Sequence, residues 1–437
     1  MRARGHYGGG MGEGVLTPGF VIQDGALACE DVPLERIADA AGTPVYVYSA
    51  GAIREQYRLL SRALAPVTHR IHYSVKANSN LAVLRLLRGL GAGVDIVSGG
   101  ELYRALLAGF TGRDIVFSGV GKTEQELREA LAARILLVNV ESVPELELLS
   151  RVAADMGVVA PVALRVNPEV TVDTPHRYTR TGERGLKFGI PFADAEDAAR
   201  LATTLPALRL DGLDMHIGSQ VVQLTAYQQG LRRLLELYDV LRSSGVESIR
   251  YLDIGGGLAV PYDHEAPIDL NAYAGEVLPL ATRSGLTLFV EPGRFLVGNA
   301  GVLLTRVLYR KRSGDREYVI TDAGMNDLLR PSHYNAFHRI DAVRPHTARI
   351  IADIVGPVCE SGDFFALGRD VENVVAGELL AIRSAGAYGF SMASNYNSRP
   401  RTAEVLVDGN RFAVVTERER YEDLVRQETA DPHWRTA

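Results

Sequence analysis

Four stretches of the chain carry residues whose types could act together on a small molecule. Tyr73-Ser74-Val75-Lys76-Ala77-Asn78 places a lysine at the end of an apolar run. Most lysines are solvated surface groups, but an amine held away from water loses proton affinity and becomes a nucleophile able to form a Schiff base. Met215-His216-Ile217-Gly218-Ser219-Gln220 offers a histidine that is either structural or a site group. Asp253-Ile254-Gly255-Gly256-Gly257 carries three successive glycines, which form either a tight turn or a bed where backbone N–H groups approach an anion. Glu291-Pro292-Gly293-Arg294 sets a carboxylate near an arginine, as an ion pair or as separate ligands for a ring nitrogen and a carboxylate.

The elements that must hold these residues repeat regularly. Strand-like runs at 70–75, 93–97, 114–117, 135–138, 161–166, 210–215, 249–254 and 287–290 alternate with helical patterns at 81–90, 100–108, 123–132, 143–156, 194–203, 226–243 and 271–284. Such alternation predicts a parallel sheet with helices outside, open or closed. Eight strands over roughly 230 residues favour a TIM-like (β/α)8 barrel, whose usual size is ~250 residues. After Arg294 the texture changes to short strands at 302–309, 317–321, 348–354, 379–382, 403–407 and 411–416 with little helix, which predicts a C-terminal all-β domain. The expected organisation is a disordered leader at 1–19, a barrel at 49–296, a β domain from 20–48 and 297–420, and a tail at 421–437.

In a barrel, reacting groups sit at the C-terminal ends of the strands, and a phosphate site commonly forms after strands seven and eight. All four stretches fall at such ends. A lysine, a phosphate bed, a flat histidine ring and a carboxylate together describe a pyridoxal phosphate site, with Glu291 keeping the pyridine nitrogen protonated.

Composition narrows the alternatives. Hydrophobic residues make up 46% of the 437 and charged residues 23%, as in ordinary globular proteins. The net charge of -6 is spread along the chain and suggests neither nucleic acid nor a membrane surface as a partner. No apolar run approaches the ~18 residues of a membrane span. Two cysteines, Cys29 and Cys359, argue against a disulfide framework and suit a cytoplasmic protein. The ten histidines show no ligand spacing, so no metal is expected.

Longer blocks make a resemblance specific. YSVKAN at 73–78, GVDIVSGGEL at 93–102, HIGSQ, GGG, EPGR, DAGMNDLLRPSHY at 322–334, GPVCESGD at 356–363 and GAYGFSMASNYNSRPR at 386–401 follow one another in order. From Gly42 to Arg401 the chain resembles the barrel-type pyridoxal-phosphate-dependent amino-acid decarboxylases, and within them the diaminopimelate decarboxylases. The resemblance implies that Lys76 carries the cofactor and His216 stacks on its ring. Ser219, Gly255, Gly256, Gly257 and the backbone of Pro292, Gly293 and Arg294 would hold the phosphate, with Tyr388 closing over the cofactor and touching substrate. It further implies Cys359 as proton donor, Glu360 and Ser361 on the substrate's distal ammonium, and Arg294, Arg330 and Tyr334 on its distal carboxylate. The implied partner is a second copy, in a homodimer where the Cys359 segment enters the other subunit's site.

The implied reaction converts meso-2,6-diaminopimelate to L-lysine and CO2, the last step of lysine biosynthesis. Two arginines favour a substrate with a distal carboxylate, since bidentate Arg–carboxylate pairing is geometrically specific. The runners-up are a relative acting on another diamino acid, such as carboxynorspermidine, and a non-catalytic protein that binds pyridoxal phosphate. A racemase is disfavoured, because Glu291 keeps the ring protonated. The leader has no counterpart in the family, and the charged loop at 177–184 is expected to be mobile.

Overall fold

The structure is a computed structural model that describes residues 18–172, 174, 176, 180–432, 434 and 435. Most of the expected leader and part of the 177–184 loop lie outside the described residues. The chain opens with β1 (Phe20–Gln23), β2 (Ala26–Cys29), β3 (Val32–Pro33), α1 (Leu34–Ala41), β4 (Val45–Ser49) and α2 (Ala50–Leu64).

Then come β5 (His69–Ser74), α3 (Leu81–Gly89), β6 (Gly93–Ile96), α4 (Gly99–Ala108), β7 (Ile115–Phe117), α5 (Glu124–Ala132), β8 (Leu137–Val140), α6 (Val143–Asp155) and β9 (Ala160–Asn167). A two-residue strand β10 (Ile190–Pro191) precedes α7 (Ala195–Thr204), β11 (Leu208–Asp214), α8 (Leu224–Ser243), β12 (Tyr251–Asp253), α9 (Leu270–Ser284) and β13 (Thr287–Val290).

Strands β5, β6, β7, β8, β9, β11, β12 and β13 pair in parallel, and the β13–β5 pairing closes the sheet into an eight-stranded barrel. The helices start where sequence puts a cap. Thr123 accepts from the Glu126 N–H while Glu126 accepts from the Thr123 N–H, a capping box that fixes the start of α5. Ser98 caps α4, which stops at Gly109 in the left-handed region.

The barrel interior follows from the two-residue period of a strand. Val94 and Ile96 pack among the helices, so Asp95 between them faces inward. Val116, Leu137, Ala163 and Phe289 form a separate apolar cluster inside the barrel, joined by Tyr251. Two residues further along each strand or just past its end stand Ser118, Asn139, Arg165, Glu291 and Asp253. The lower interior is therefore apolar and the mouth polar, with each polar group seated by the hydrophobe two places before it.

Beyond the barrel lie α10 (Arg294–Val297), β14 (Gly301–Ser313), β15 (Arg316–Thr321), α11 (Arg330–Tyr334), β16 (Ile340–Ala342), β17 (Arg349–Val355), β18 (Phe364–Glu372), β19 (Leu379–Ile382), β20 (Ala403–Asp408), β21 (Arg411–Thr416) and α12 (Tyr421–Val425). The second sheet runs β18-β17-β15-β14-β4-β20-β21, with β19 also on β14 and β16 on β19. The expected pairing of the 20–48 region with this sheet holds for β4 alone, which lies between β14 and β20. Strands β1 to β3 form a small sheet of their own, packed on the larger one through Phe20, Leu27 and Val302. No helix among the described residues is long and apolar enough to cross a membrane.

Candidate active site

One cavity of about 570 Å³ opens at the polar mouth of the barrel. Lys76, Ser118, Arg165, His216, Ser219, Glu291, Arg294, Arg330, Tyr334 and Tyr388 line it. A narrow extension runs along Gly257, Pro292, Gly293 and Arg294.

Lys76 follows β5 in a short 3-10 turn and points its ammonium at Asp95, Nζ to Oδ2 3.1 Å. Ser74 donates to the same oxygen at 2.8 Å. Loss of water was expected to lower the proton affinity of Lys76. Burial does pull it down, but Asp95 and, less strongly, Tyr388, Glu291 and Glu101 outweigh it, and the net shift is upward. The expectation fails because it took no account of a buried carboxylate on the next strand.

His216 follows β11, and its Nδ1 accepts the Gly256 N–H at 3.1 Å. Burial, then Arg165 and Lys76, hold its pKa well below the ordinary range, so the ring is neutral. The glycines permit this contact: a Cβ on Gly255 would fall 2.3 Å from His216 Nδ1, and one on Gly256 would fall 2.2 Å from the Glu291 carbonyl oxygen. Their N–H groups are already engaged, Gly255 with Asp253 Oδ1 at 2.9 Å and Gly256 with His216. Of the three glycines, Gly257 is the one that lines the narrow extension.

Glu291 directly follows β13 and is 6% exposed. Its Oε1 takes long contacts from Ser118 Oγ and Asn139 Nδ2, both 3.4 Å. Glu291, Asp214 and Asp253 bring oxygens within 4.8 Å of one another. Burial, then Asp253, Asp95 and Asp214, raise the Glu291 carboxyl well above the carboxylate range, with Lys76 opposing. This is the one grouping among the described residues with metal-ligand spacing, and the sequence reading noticed only its glutamate.

The opposite wall is cationic. Arg294 donates to the Tyr262 hydroxyl and to Ser219 Oγ, 3.1 Å, and lies 4.8 Å from the Tyr388 ring centre. Its buried Nε has no partner among the described residues. Arg330 Nη1 meets His338 Nε2 at 2.9 Å, and its guanidinium lies 4.9 Å from the Tyr262 ring centre. Tyr334 stands beside His176, ring centres 5.6 Å apart. The backbone N–H of Tyr388 donates to the Ala77 carbonyl at 2.8 Å, which ties its loop to the lysine turn.

The pyridoxal-dependent decarboxylase, pyridoxal binding domain, matches residues 50–298. The chain is 50% identical over 414 residues to the diaminopimelate decarboxylase of Pseudomonas aeruginosa, covering 94% of this chain and 99% of that protein. It is 48% identical over 405 residues to that of Neisseria meningitidis serogroup A, covering 92% and 99%. The chain belongs to the diaminopimelate decarboxylase family. The crystal structure of the Helicobacter pylori family member, solved with L-lysine, superposes with a TM-score of 0.87 at 39% identity, over 90% of this chain and 99% of that one.

For a member of this family the cavity gathers eight of the sixteen residues singled out from sequence, Lys76, His216, Ser219, Glu291, Arg294, Arg330, Tyr334 and Tyr388; its narrow extension adds Gly257, Pro292 and Gly293, while Gly255 and Gly256 line neither. It does not gather Cys359, Glu360 and Ser361, which lie exposed outside it. Sequence reading missed Asp95, Asp253 and Tyr262. The first two carry a signal, a charged residue inside an apolar strand, whereas Tyr262 follows the glycine loop with no periodicity to mark it.

Proposed function

We propose that the chain decarboxylates meso-2,6-diaminopimelate to L-lysine and CO2 with pyridoxal phosphate as cofactor. The observation that carries this reading is a two-ended cavity. An amine, a proton-holding carboxyl and a neutral imidazole stand at the barrel mouth, while two arginines on the wall have only uncharged hydrogen-bond partners among the described residues. We assign the phosphate to the narrow extension, which Ser219 and Gly257 line together with Pro292, Gly293 and Arg294 of the loop after β13. We also take 49–296 as the cofactor-binding unit, 20–48 with 297–420 as the β unit and 421–437 as a tail.

Pyridoxal phosphate, when bound, supplies an electron sink for the charge left on the α-carbon as CO2 departs. The Lys76 nitrogen would tether the cofactor, and the proton that Asp95 stabilises on it in the resting site would have to leave first. Glu291, whose carboxyl keeps a proton in the empty site, would share that proton with the ring nitrogen, and the neutral His216 would lie against the cofactor's ring. Arg294, Arg330 and Tyr334 grip the distal carboxylate, and Tyr388 closes the pocket. In a homodimer, the exposed Cys359 enters the partner's cavity and its thiol protonates the α-carbon, while Glu360 and Ser361 take the distal ammonium.

The test is CO2 and lysine release from meso-diaminopimelate with added pyridoxal phosphate, beside ornithine, arginine and L-lysine. Turnover of diaminopimelate alone is expected. Turnover of another amino acid would move the error to the arginine wall, and silence with cofactor bound would overturn the decarboxylase reading.

A further inference from the structure

An arginine meant for an incoming carboxylate has two conflicting needs. It must be held still, yet a protein carboxylate that held it would compete with the substrate. Arg330, 7% exposed at the start of α11, is held by His338 instead.

The histidine can do this because its own proton is committed elsewhere. His338 Nδ1 lies 2.7 Å from the Arg383 carbonyl, which can only accept. The proton therefore sits on Nδ1, and Nε2 offers a lone pair to the Arg330 N–H at 2.9 Å. The groups facing the imidazole are the guanidiniums of Arg330, Arg294 and Arg369, the Tyr262 ring at 5.3 Å and the Arg383 carbonyl. Arg369 donates to the histidine's own carbonyl. Burial and then Arg330 push the imidazole down to about 3, so it stays neutral across working pH. Of the carboxylates in this region, Asp341 is spent on Arg383 and Arg339, both at 2.8 Å, and Glu265, on the cavity wall, accepts the Tyr262 and Asp263 N–H groups. Among the described residues, Arg330 is thus aimed but not neutralised.

We propose that His338 is a positioning residue that sets the preference for a substrate with a distal carboxylate, by orienting Arg330 through a neutral acceptor. This rests on the assignment of Arg330 to that carboxylate made above.

The test compares His338→Gln, whose amide oxygen can replace Nε2, with His338→Glu, similar in shape but charged, and His338→Leu, which offers no acceptor. KM and kcat for meso-diaminopimelate would be measured, with inhibition by L-lysine, which keeps a carboxylate, and by cadaverine, which has none. The visible absorbance of bound cofactor checks that the site is intact. His338→Glu is expected to raise the KM and the L-lysine inhibition constant by about tenfold or more, leaving kcat, cofactor absorbance and cadaverine inhibition near wild type. His338→Gln should stay within about threefold of wild type.

Equal KM in His338→Glu and wild type would overturn the proposal. If the glutamate variant does not fold, equal KM in the glutamine and leucine variants would overturn it, and a KM raised only in leucine would support it. Arg330→Ala separates the two levels. If that variant leaves KM unchanged, the reading of the arginine wall fails; if it raises KM and His338→Glu does not, only the role of His338 fails.

Discussion

Lys76 Nζ and Asp95 Oδ2 lie 3.1 Å apart, one just past the first barrel strand and the other inside the second. Although burial works against the charge, Asp95 keeps the lysine protonated in the resting site. A protonated amine cannot bond to an aldehyde, so the carboxylate that orients Lys76 also restrains it. Asp95→Asn should therefore capture pyridoxal phosphate faster at neutral pH, with the midpoint of the capture rate against pH moved down by about one unit or more. Stopped-flow absorbance after adding cofactor to the cofactor-free protein measures this. An unchanged midpoint would mean that Asp95 does not govern the amine.

The three carboxylates under the cavity set a second pH dependence. Burial above all raises Asp253 to about 6 and Asp214 and Glu291 well above the usual range. Their folded pKa values exceed the unfolded ones, so the native state binds more protons than the unfolded chain once pH passes about 4. Stability from these groups is complete below that pH and falls as pH rises through the raised values. Asp253→Asn keeps an oxygen for the Gly255 N–H and removes one charge. Its melting temperature without cofactor should match wild type near pH 4 and exceed it by about 2–4 °C at pH 8. The same difference at both values would refute the linkage.

The barrel was legible because its strands are near-continuous β-branched runs bounded by glycine, proline or polar residues, and its helices carry caps such as Thr123 with Glu126. The polar layer at the mouth was only half legible. Glu291 and Lys76 stand at strand ends, where a barrel places chemistry. Asp95 and Asp253 stand among apolar neighbours and needed the two-residue period to be recognised as inward-facing. Strand β18 escaped because Gly368, Arg369 and Asp370 interrupt its apolar run, which an edge strand tolerates. Tyr262 and His338 carry no local signal, since each gains its role from partners on other elements, Arg294 for one and Arg383 for the other.

Gly256→Ala tests how tightly the glycine loop is seated. The new Cβ would fall 2.2 Å from the Glu291 carbonyl oxygen, a backbone atom that cannot swing aside. The loop must shift, which breaks the His216 contact and moves Glu291. Cofactor affinity, read by fluorescence titration, should fall by about tenfold or more. Gly275→Ala is the control: it lies in α9 with nothing within 4 Å of the added Cβ, and alanine there should stabilise by about 0.5–1 kcal/mol. Equal behaviour of the two variants would show that the loop is not constrained as described.

The exposure of Cys359 on its own subunit yields the test of a shared site. If the cysteine serves the partner's cavity, Lys76→Ala and Cys359→Ala proteins should each be inactive, with cofactor absorbance lost only in the first. Mixing the two after dissociation and reassociation gives random pairing, in which half of the dimers are mixed. Each mixed dimer has one cavity with both defects and one with neither, so activity should recover to about a quarter of wild type. No recovery, in a mixture shown by differently tagged chains to have exchanged subunits, would place Cys359 and Lys76 in the same subunit's site, whereas an active Cys359→Ala parent would remove the cysteine from the reaction. Recovery near a quarter cannot arise within one subunit, because each parent then lacks a residue that its own cavity requires.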